Sequence, residues 1–384
     1  MFETAPPPGP PRWVIVGNGE NRRVGMFADA ARAAGATRLR VVEWREILRR
    51  GVPDFADDEI VRLDSPGENA EVDRLLRESD EPTRVEGSAR WYARFTAAVR
   101  GLRGGFRLDD PDELAVLFDK RRCHARLAGA GVPVPAALTS GERTPVRDWG
   151  EIRDRMRAAG MPRVFVKLAH GSSASGVLAV ETRGDGRVRA TTSVEITPSG
   201  HLHNSLRVRR YTSEREIAAI VDRLAPDGLH VERWVPKVSQ GGRSADLRVV
   251  VIGGRATHAV VRTGKGPLTN LHLGGARGDL ADFRRAAGVG WETALSICER
   301  AAACFPATLC VGVDLLPAVG WRRFAVGEVN AFGDLLPRLI GLPEGPAAGL
   351  DTYTAQVIAA ASRYQAAREH CSRELVGAHG GHPL

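Results

Sequence analysis

The stretch GVDLLPAVGWRRFAVGEVN, residues 312–330, says most about the fold and the site. Its two apolar runs predict two buried strands joined by a turn. Glu328 and Asn330 alternate on the second strand and share a face, which Asp314 on the first strand joins if the turn is loose. Two carboxylates and an amide oxygen are hard ligands that suit Mg²⁺. The alternative is that these carboxylates form salt bridges with the two arginines of the turn, Arg322 and Arg323.

A second informative stretch is VFVKLAHGSSASGV, residues 164–177, in which a strand carrying Lys167 runs into a loop of small residues. Backbone N–H groups and hydroxyls of such a loop can approach a phosphate closely. Because the lysine precedes the loop and a strand follows it, the pattern is not a Walker A motif. The alternative is a flexible hairpin turn. The candidate phosphate-binding residues are Gly171, Ser172, Ser173, Ser175 and Gly176.

A third stretch, ADLRVVVIGGRATHAVVR at residues 245–262, predicts a β-hairpin. A three-residue loop, Gly253–Arg255, would place four side chains on one face of it. These are Asp246, Arg248, His258 and Arg262. Two arginines on one face can bind a polyanion, and the alternative is a structural Asp–Arg pair. The loop that follows contains Asn270 among glycines.

Length and composition place the chain among soluble globular proteins. Its 384 residues suggest two or three domains, and 43% apolar with 26% charged residues is an ordinary balance. No apolar run approaches the roughly 18 residues of a membrane span, and the proline-rich start lacks the apolar core of a signal peptide. Five cysteines without a C-x-x-C pair suit a reducing compartment, so we predict a cytoplasmic protein.

The basic residues are unusual in kind. Of the 54 lysines and arginines only four are lysines, and these are Lys120, Lys167, Lys237 and Lys265. A chain with so few lysines is expected to keep them where a compact charge matters. The net charge of +8 does not indicate nucleic acid, because the arginines are spread along the chain rather than clustered with aromatic residues.

The order of predicted elements divides the chain. Strands at 12–18 and 39–44 flank a helix, which predicts an N-terminal α/β domain at 12–110 after a disordered tail at 1–11. Its glycines do not reproduce G-x-G-x-x-G, which disfavours a dinucleotide site. Strands with interspersed helices then predict an α+β region, closed by a helix at about 351–369 and a frayed tail at 371–384.

Seven motifs in this order resemble the ATP-grasp superfamily, and within it the branch of the ribosomal-protein glutamate ligase and glutathione synthetase. The resemblance covers residues 119–337, over half of the chain. It implies a Rossmann-like pre-ATP-grasp domain followed by two α+β subdomains, at 111–232 with the lid and at 233–370 with the metal site. The motifs are DK (119–120), VFVKLAHGSSASGV, VERWV (231–235), DLRVVVIGG, Arg262 with NLHLGG (270–275), GVD and EVN.

The resemblance also assigns roles to residues. Lys120 and Lys167 match lysines that bind ATP, and the glycine-rich loop matches a lid. The hinge around Glu232, Trp234 and Val235 matches the segment that holds adenine. The remaining matches are Arg248 and Arg262 near the γ-phosphate, Asn270 in the following loop, and Asp314, Glu328 and Asn330 as magnesium ligands.

Together these features imply an ATP-dependent carboxylate–amine (or thiol) ligase that forms an amide or peptide bond through an acyl phosphate. The expected cofactors are ATP and one or two Mg²⁺ ions, for which Mn²⁺ could substitute. A small-molecule or peptide carboxylate and an amine acceptor are the expected partners, with no membrane and no nucleic acid, and a homodimer is left open. The alternatives are an ATP-grasp kinase acting on a hydroxyl and a non-catalytic ATP-binding module.

The chain departs from the family pattern in two places, after the metal motif and at the hinge, which carries Arg233 and Trp234 rather than a simple acidic-aliphatic pair. Asp334 follows the metal motif where a small-residue and proline turn is usual, so it could hold a substrate amine or cap the next turn. Lys237 follows the hinge, where a surface role is expected rather than a catalytic one.

Overall fold

The computed structural model describes residues 11–51, 53–81, 84–141, 145–171, 174–333 and 338–379. Three β-sheets organise this part of the chain. No helix within the described ranges is both long and apolar enough to span a membrane. The predicted tail at 1–11 lies outside the description except for Pro11, and so does the end of the chain from residue 380.

The first sheet is N-terminal and all of its strands are parallel, in the order β2-β1-β3-β4. The strands are β1 (Arg12–Gly17), β2 (Leu39–Glu43), β3 (Asp54–Leu63) and β4 (Arg103–Arg107). Four helices accompany it: α1 (Arg22–Ala33), α2 (Trp44–Arg50), α3 (Ala70–Arg77) and α4 (Ser88–Gly101). Because the strands are parallel, their carboxyl ends meet at one edge.

Two short helices lead out of this unit, α5 (Pro111–Leu117) and α6 (Lys120–Gly129). Each begins directly after an aspartate whose side chain accepts hydrogen bonds from backbone N–H groups of the first turn, Asp110 for α5 and Asp119 for α6. Asp119 thereby fixes the first residue of α6, which is Lys120.

The second sheet is antiparallel, in the order β8-β7-β6-β5-β9. Its strands are β5 (Arg163–Leu168), β6 (Leu178–Thr182), β7 (Val188–Ile196), β8 (Leu202–Tyr211) and β9 (Leu229–Arg233). Helices α7 (Trp149–Ala158) and α8 (Glu214–Leu224) pack on it through a core that includes Ile152, Val166 and Ile217. β8 lies at the edge of this sheet.

The third sheet has the order β13-β12-β11-β14-β15, with β10 added beside β11. The strands are β10 (Ser239–Gln240), β11 (Arg243–Ile252), β12 (Arg255–Gly264), β13 (Ala276–Arg277), β14 (Cys310–Pro317) and β15 (Phe324–Ala331). Helices α9 (Leu280–Ala287) and α10 (Gly290–Ala303) share an apolar core with one face of the sheet. Polar side chains, among them Asp246 and Asp314, occupy part of the other face.

The hairpin of β11 and β12 has the predicted register, but with a shorter loop than predicted and a bulge. The loop has two residues, Gly253 and Gly254, both at positive φ, instead of three. A register shift after Val250 restores the pairing, so that Asp246 lies opposite Arg262. The two arginines and Asp246 therefore share a face, as predicted.

The end of the chain differs from the prediction. The closing helix, α11, extends from Thr352 to His379 rather than ending near residue 369. The predicted tail at 371–384 is thus helical as far as His379. After residue 369 the sequence has no apolar periodicity, which is why a tail was predicted. The helix continues because Glu, Leu and Ala favour helix intrinsically.

Candidate active site

The three predicted magnesium ligands lie together on β14 and β15. Asp314 is paired with Glu328, and Gly312 with Asn330, so the three side chains are on one face of the sheet. A register shift beside Asp314 leaves Gly327 as an extra residue on β15 and brings Glu328 level with Asp314. Asn330 donates its Nδ2 hydrogen to the Gly312 carbonyl at 3.2 Å, which leaves its side-chain oxygen as an available acceptor.

Asp314 is held by two arginines of the neighbouring hairpin. Arg248 donates to both carboxylate oxygens, with 3.1 Å from Nη2 to Oδ2, and Arg262 Nη2 lies 3.1 Å from Oδ1. Burial alone would raise the pKa of Asp314, but the two guanidinium groups outweigh it and lower the pKa. Salt bridges to Arg322 or Arg323, the alternative considered above, are therefore not what holds this carboxylate.

Asp246 is a second buried carboxylate on the same face and connects three partners. It accepts from Arg262 Nε at 2.8 Å, from Lys237 Nζ at 2.9 Å and from the Thr269 hydroxyl. Lys237 also donates to Thr269 Oγ1 at 2.8 Å. Burial would raise the pKa of Asp246, yet Arg262 and Lys237 lower it strongly.

The surface role expected for Lys237 is wrong, because its side chain is only 8% exposed. Its ammonium links Asp246 to Thr269, the residue before Asn270, so it fastens the start of the loop that carries Asn270. The scarcity of lysine was the one sequence signal that could have identified it.

Lys120 approaches the site from the start of α6. Its Nζ lies 3.1 Å from Glu328 Oε1 and donates to the carbonyl of Gly171 in the small-residue loop. Its backbone N–H donates to the carbonyl of Ala169 at 2.9 Å. Lys120 thus connects β15 to the loop after β5.

Lys167 reaches the same strand from the second sheet. Its Nζ lies 2.5 Å from Glu232 Oε1 on β9 and 3.4 Å from the Gly327 carbonyl on β15. Burial would lower the pKa of Lys167, but the carboxylates of Glu232 and Glu328 outweigh it and raise the pKa. Burial alone would raise the pKa of Glu232, but its contacts with Lys167 and His230 outweigh burial and lower the pKa to about 2.

One residue of the predicted hinge, Glu232, lines a small cavity. β9 ends at Arg233, and Trp234 follows with its N–H donating to the Arg163 carbonyl at 3.1 Å and its ring 5.6 Å from Phe165. Trp234 and Val235 are half-buried. Charged and apolar side chains from α6, β9 and β15 line the cavity, including Lys120, Cys123, Glu232, Val326 and Glu328.

The small-residue loop is described in part. Gly176 has φ +67°, and an added Cβ would lie 2.7 Å from Leu168 Cδ1, so a side chain is disfavoured there on two grounds. Ser172, Ser173 and Asp334 fall outside the described residues. His170 next to the loop stacks on Tyr92 at 3.8 Å, which gives it a packing role. In the following loop, the Asn270 carbonyl accepts the N–H groups of Leu273 and Gly275.

The side chains available as ligands determine which kind of metal ion this face could hold. Within the described ranges, no three His, Cys, Asp or Glu side chains converge closely enough to hold an ion by themselves. Asp314 and Glu328 with the oxygen of Asn330 provide two carboxylates and one amide, all hard oxygen donors on adjacent strands. Such a set fits an ion that takes its remaining ligands from water and phosphate, as Mg²⁺ does.

Comparisons with known proteins are informative only at the level of structure. No protein-family profile matches the sequence, and no curated protein matches it significantly. The structure is similar to the D-cycloserine synthetase DcsG, with TM-score 0.53 and 17% identity over 92% of this chain and 99% of that one.

Two other solved structures are similar to a comparable extent. The ATP-grasp ligase PsnB, complexed with a minimal precursor, has TM-score 0.50 and 15% identity over 93% of this chain and 99% of its own. The D-alanine-D-alanine ligase from Coxiella burnetii has TM-score 0.50 and 13% identity over 95% and 99%. The predicted fold is confirmed at this level: the chain has the fold that ATP-grasp ligases share.

Proposed function

We propose that the protein is an ATP-dependent ligase that joins a carboxylate to an amine (or thiol) through an acyl phosphate. The observation that carries this proposal is the meeting of two lysines from separate elements at one strand. Lys120 contacts Glu328, and Lys167 contacts the adjacent Gly327 carbonyl, on the strand that also bears Asn330. Phosphoryl transfer depends mainly on positioning and charge neutralisation, and this arrangement supplies both.

ATP would lie between the second and third sheets. We assign the adenine to the hinge of Glu232, Trp234 and Val235, of which Glu232 lines the cavity, and the phosphates to Lys120 and Lys167. Both ammonium groups are paired with carboxylates in the structure, and each has three N–H donors, so Lys120 and Lys167 could donate to phosphate oxygens while keeping Glu328 and Glu232 as partners. The N–H groups of Gly171, Ser175 and Gly176, with Ser172 and Ser173, would close over the phosphates.

Asp314, Glu328 and Asn330 are the residues that would hold magnesium. Bound there, Mg²⁺ would neutralise phosphate oxygens during transfer. In the structure these two carboxylates are paired with basic side chains, Glu328 with Lys120 and Asp314 with Arg248 and Arg262, so the ion would take over part of their neutralisation.

Arg248, Arg262 and Asn270 would act on the reacting groups. The substrate carboxylate oxygen attacks the γ-phosphorus, ADP leaves, and the amine nitrogen then attacks the acyl carbon and expels phosphate. The two arginines, held in place by Asp314 and Asp246, are positioned to stabilise the charge that develops on the phosphoryl oxygens. Asn270 would orient the acceptor side of the site from the loop that Lys237 fastens.

The finer assignments belong to the same proposal. We take residues 12–110 as the Rossmann-like pre-ATP-grasp domain, which the parallel order of its strands supports, and 111–232 and 233–370 as the two ATP-grasp subdomains. The order of motifs favours the branch of the ribosomal-protein glutamate ligase and glutathione synthetase. The five cysteines without a C-x-x-C pair favour a cytoplasmic location.

Hydroxylamine trapping tests the proposal without knowledge of the natural acceptor. The purified chain is incubated with ATP, Mg²⁺, hydroxylamine and pools of amino acids, dipeptides and other carboxylic acids, and ADP and hydroxamates are measured. An acyl phosphate gives both products in equal amounts. The Glu328→Gln variant should give neither, whereas Glu292→Gln, an exposed position on α10, should behave like the wild type.

The two alternatives give different results in the same assay. A kinase would form ADP and a stable phosphorylated product with hydroxyl compounds and would form no hydroxamate. A non-catalytic module would bind ATP and release no ADP with any pool. Either result would replace the ligase proposal.

A further inference from the structure

A second polar cluster is buried away from the residues assigned to ATP. It lies where β1 and β3 end, between the start of α1 and the closing helix α11. Five polar side chains meet there, and none is more than 5% exposed. They are Asn18, Arg23, Arg62, Asp64 and Gln356. Burying two guanidinium groups is costly unless each is paired and hydrogen-bonded.

The cluster carries more positive than negative charge. Asp64 serves both arginines, with Oδ1 at 3.2 Å from Arg23 Nε and Oδ2 at 3.3 Å from Arg62 Nη1. Glu68 is 3.7 Å from Arg23 Nη1 but 63% exposed, so water screens it. Burial raises the pKa of nearby Asp109 to about 7 in spite of Arg62, so this carboxyl is only partly ionised near neutral pH.

Hydrogen bonding in the cluster is also incomplete. Six of its buried polar atoms have no hydrogen-bond partner among the described residues, and three of the six, Arg23 Nε, Arg62 Nη1 and Asp64 Oδ2, take part only in the ion pairs given above. Four are donors and two are acceptors: Arg23 Nε and Nη2, Arg62 Nη1 and Gln356 Nε2, against Asn18 Oδ1 and Asp64 Oδ2. A buried polar atom left unpaired costs about 1–3 kcal/mol, so such a concentration in one place calls for a ligand.

We infer that this cluster binds the carboxylate of a small organic acid that carries a hydrogen-bond donor next to the carboxylate, as α-amino and α-hydroxy acids do. The carboxylate would accept from Arg23, Arg62 and Gln356. A hydroxy acid would neutralise the excess charge, whereas an amino acid would bring its own ammonium with it. The neighbouring amine or hydroxyl would donate to the Asn18 oxygen. This site goes beyond the proposed ligase activity, because its recognition chemistry does not depend on ATP.

The loop at residues 65–69 borders the cluster and offers a route into it. Asn18 Nδ2 donates to the carbonyls of Pro66 at 3.0 Å and Gly67 at 3.2 Å, and Asn21 Nδ2 donates to Gly67 at 3.1 Å. These are side-chain contacts rather than strand pairing, so displacing the loop breaks few bonds. The Asn18 side chain holds the loop through Nδ2, and its Oδ1 is one of the acceptors without a partner. Displacement of the loop and binding of the acid would therefore both involve Asn18.

The test is acid binding by the full chain without ATP, measured by calorimetry and by thermal shift. The probes are L- and D-amino acids, the corresponding 2-hydroxy acids, the corresponding acids without a 2-substituent, and inorganic phosphate. We expect an amino or hydroxy acid to bind at least tenfold more tightly than its unsubstituted match. Incorporation of that acid into product when ATP is added marks it as a ligase substrate, and binding without incorporation marks it as an effector; both support the site.

Gln356→Glu separates a binding role from a structural one. The new carboxylate would neutralise Arg62, so the free protein should melt at a higher temperature, while the loss of the Nε2 donor should weaken acid binding at least tenfold. Gln365→Glu, an exposed position on the same helix beside Glu369, should leave acid binding unchanged and should not raise the melting temperature. Asn18→Leu is a second variant that should bind the acid at least tenfold more weakly.

Three results would overturn the inference. One is that no acid in the panel binds the wild type. Another is that Gln356→Glu and Asn18→Leu bind the acid as tightly as the wild type, which would leave the cluster a structural one. The third is that phosphate competes as well as the best acid, which would show a general anion cluster.

Discussion

Replacing Glu232 by glutamine should destabilise the protein by about 3 kcal/mol at neutral pH. The carboxylate is buried against the Lys167 ammonium at 2.5 Å, and its pKa falls from its ordinary 4.5 to about 2. At about 1.4 kcal/mol per pKa unit, this shift corresponds to about 3 kcal/mol of folding free energy. Glutamine keeps the shape but leaves Lys167 without its nearest counter-charge.

The stabilisation by Glu232 should depend on pH in a definite direction. A carboxyl whose pKa is lowered by folding stabilises the protein above its unfolded pKa, and this contribution is lost as the pH falls through the folded value. The difference in unfolding free energy between wild type and Glu232→Gln should therefore be full at pH 7 and shrink to under about half by pH 3. Urea denaturation of both proteins at several pH values measures it.

The matched control is Asp154→Asn. Asp154 pairs with Arg157 on the surface of α7, and both side chains are more than 70% exposed. Water screens this pair, so its loss should change the free energy of unfolding by less than about 0.5 kcal/mol at any pH. A Glu232→Gln effect no larger than this control, or one that stays constant down to pH 3, would refute the reasoning about the buried pair.

Three further predictions concern activity and nucleotide binding. Glu328→Gln should lower ADP production by at least a hundredfold with an unchanged circular dichroism spectrum, and ADP production at the wild-type rate would remove this residue from the site. Lys120→Ala and Lys167→Ala should each weaken ATP binding in calorimetry, whereas Lys237→Ala should mainly lower kcat, because Lys237 holds the loop that bears Asn270 rather than the phosphates; equal losses of ATP affinity in all three would contradict this division. Gly176→Ala should weaken binding of a non-hydrolysable ATP analogue several-fold, because alanine at φ +67° is strained and meets Leu168; unchanged affinity would show that the loop takes no part.

The site strands could be predicted from sequence because their chemistry alternates with apolar residues. Asp314, Glu328 and Asn330 lie in runs of Val and Leu, so the period of two fixed both the strands and the face. The ordered motifs then supplied the fold. The hairpin was placed in the right register although its loop was assigned one residue too many, because the bulge after Val250 made up the difference.

Other features left little trace in the sequence. β3 begins with a charged segment, DFADDE, and β4 contains two adjacent glycines, so neither shows the alternation of a strand. Their pairing comes from the neighbouring strands rather than from local preference. The buried cluster around Arg23 and Arg62 was likewise hidden, because among fifty arginines two internal ones look like any other surface residue.

The distribution of lysine has a practical consequence for labelling. Three of the four lysines are placed in or next to the proposed ATP site, and Lys265 is exposed. Among the lysines, an amine-reactive reagent would therefore modify Lys265 first. A nucleotide carrying an electrophile on its phosphates would instead be delivered to Lys120 and Lys167, and with so small a background a single mass-spectrometric map would show which ammonium the phosphate chain meets. Because most basic residues of this chain are arginines, which amine-reactive groups do not modify, few other positions would compete for the label.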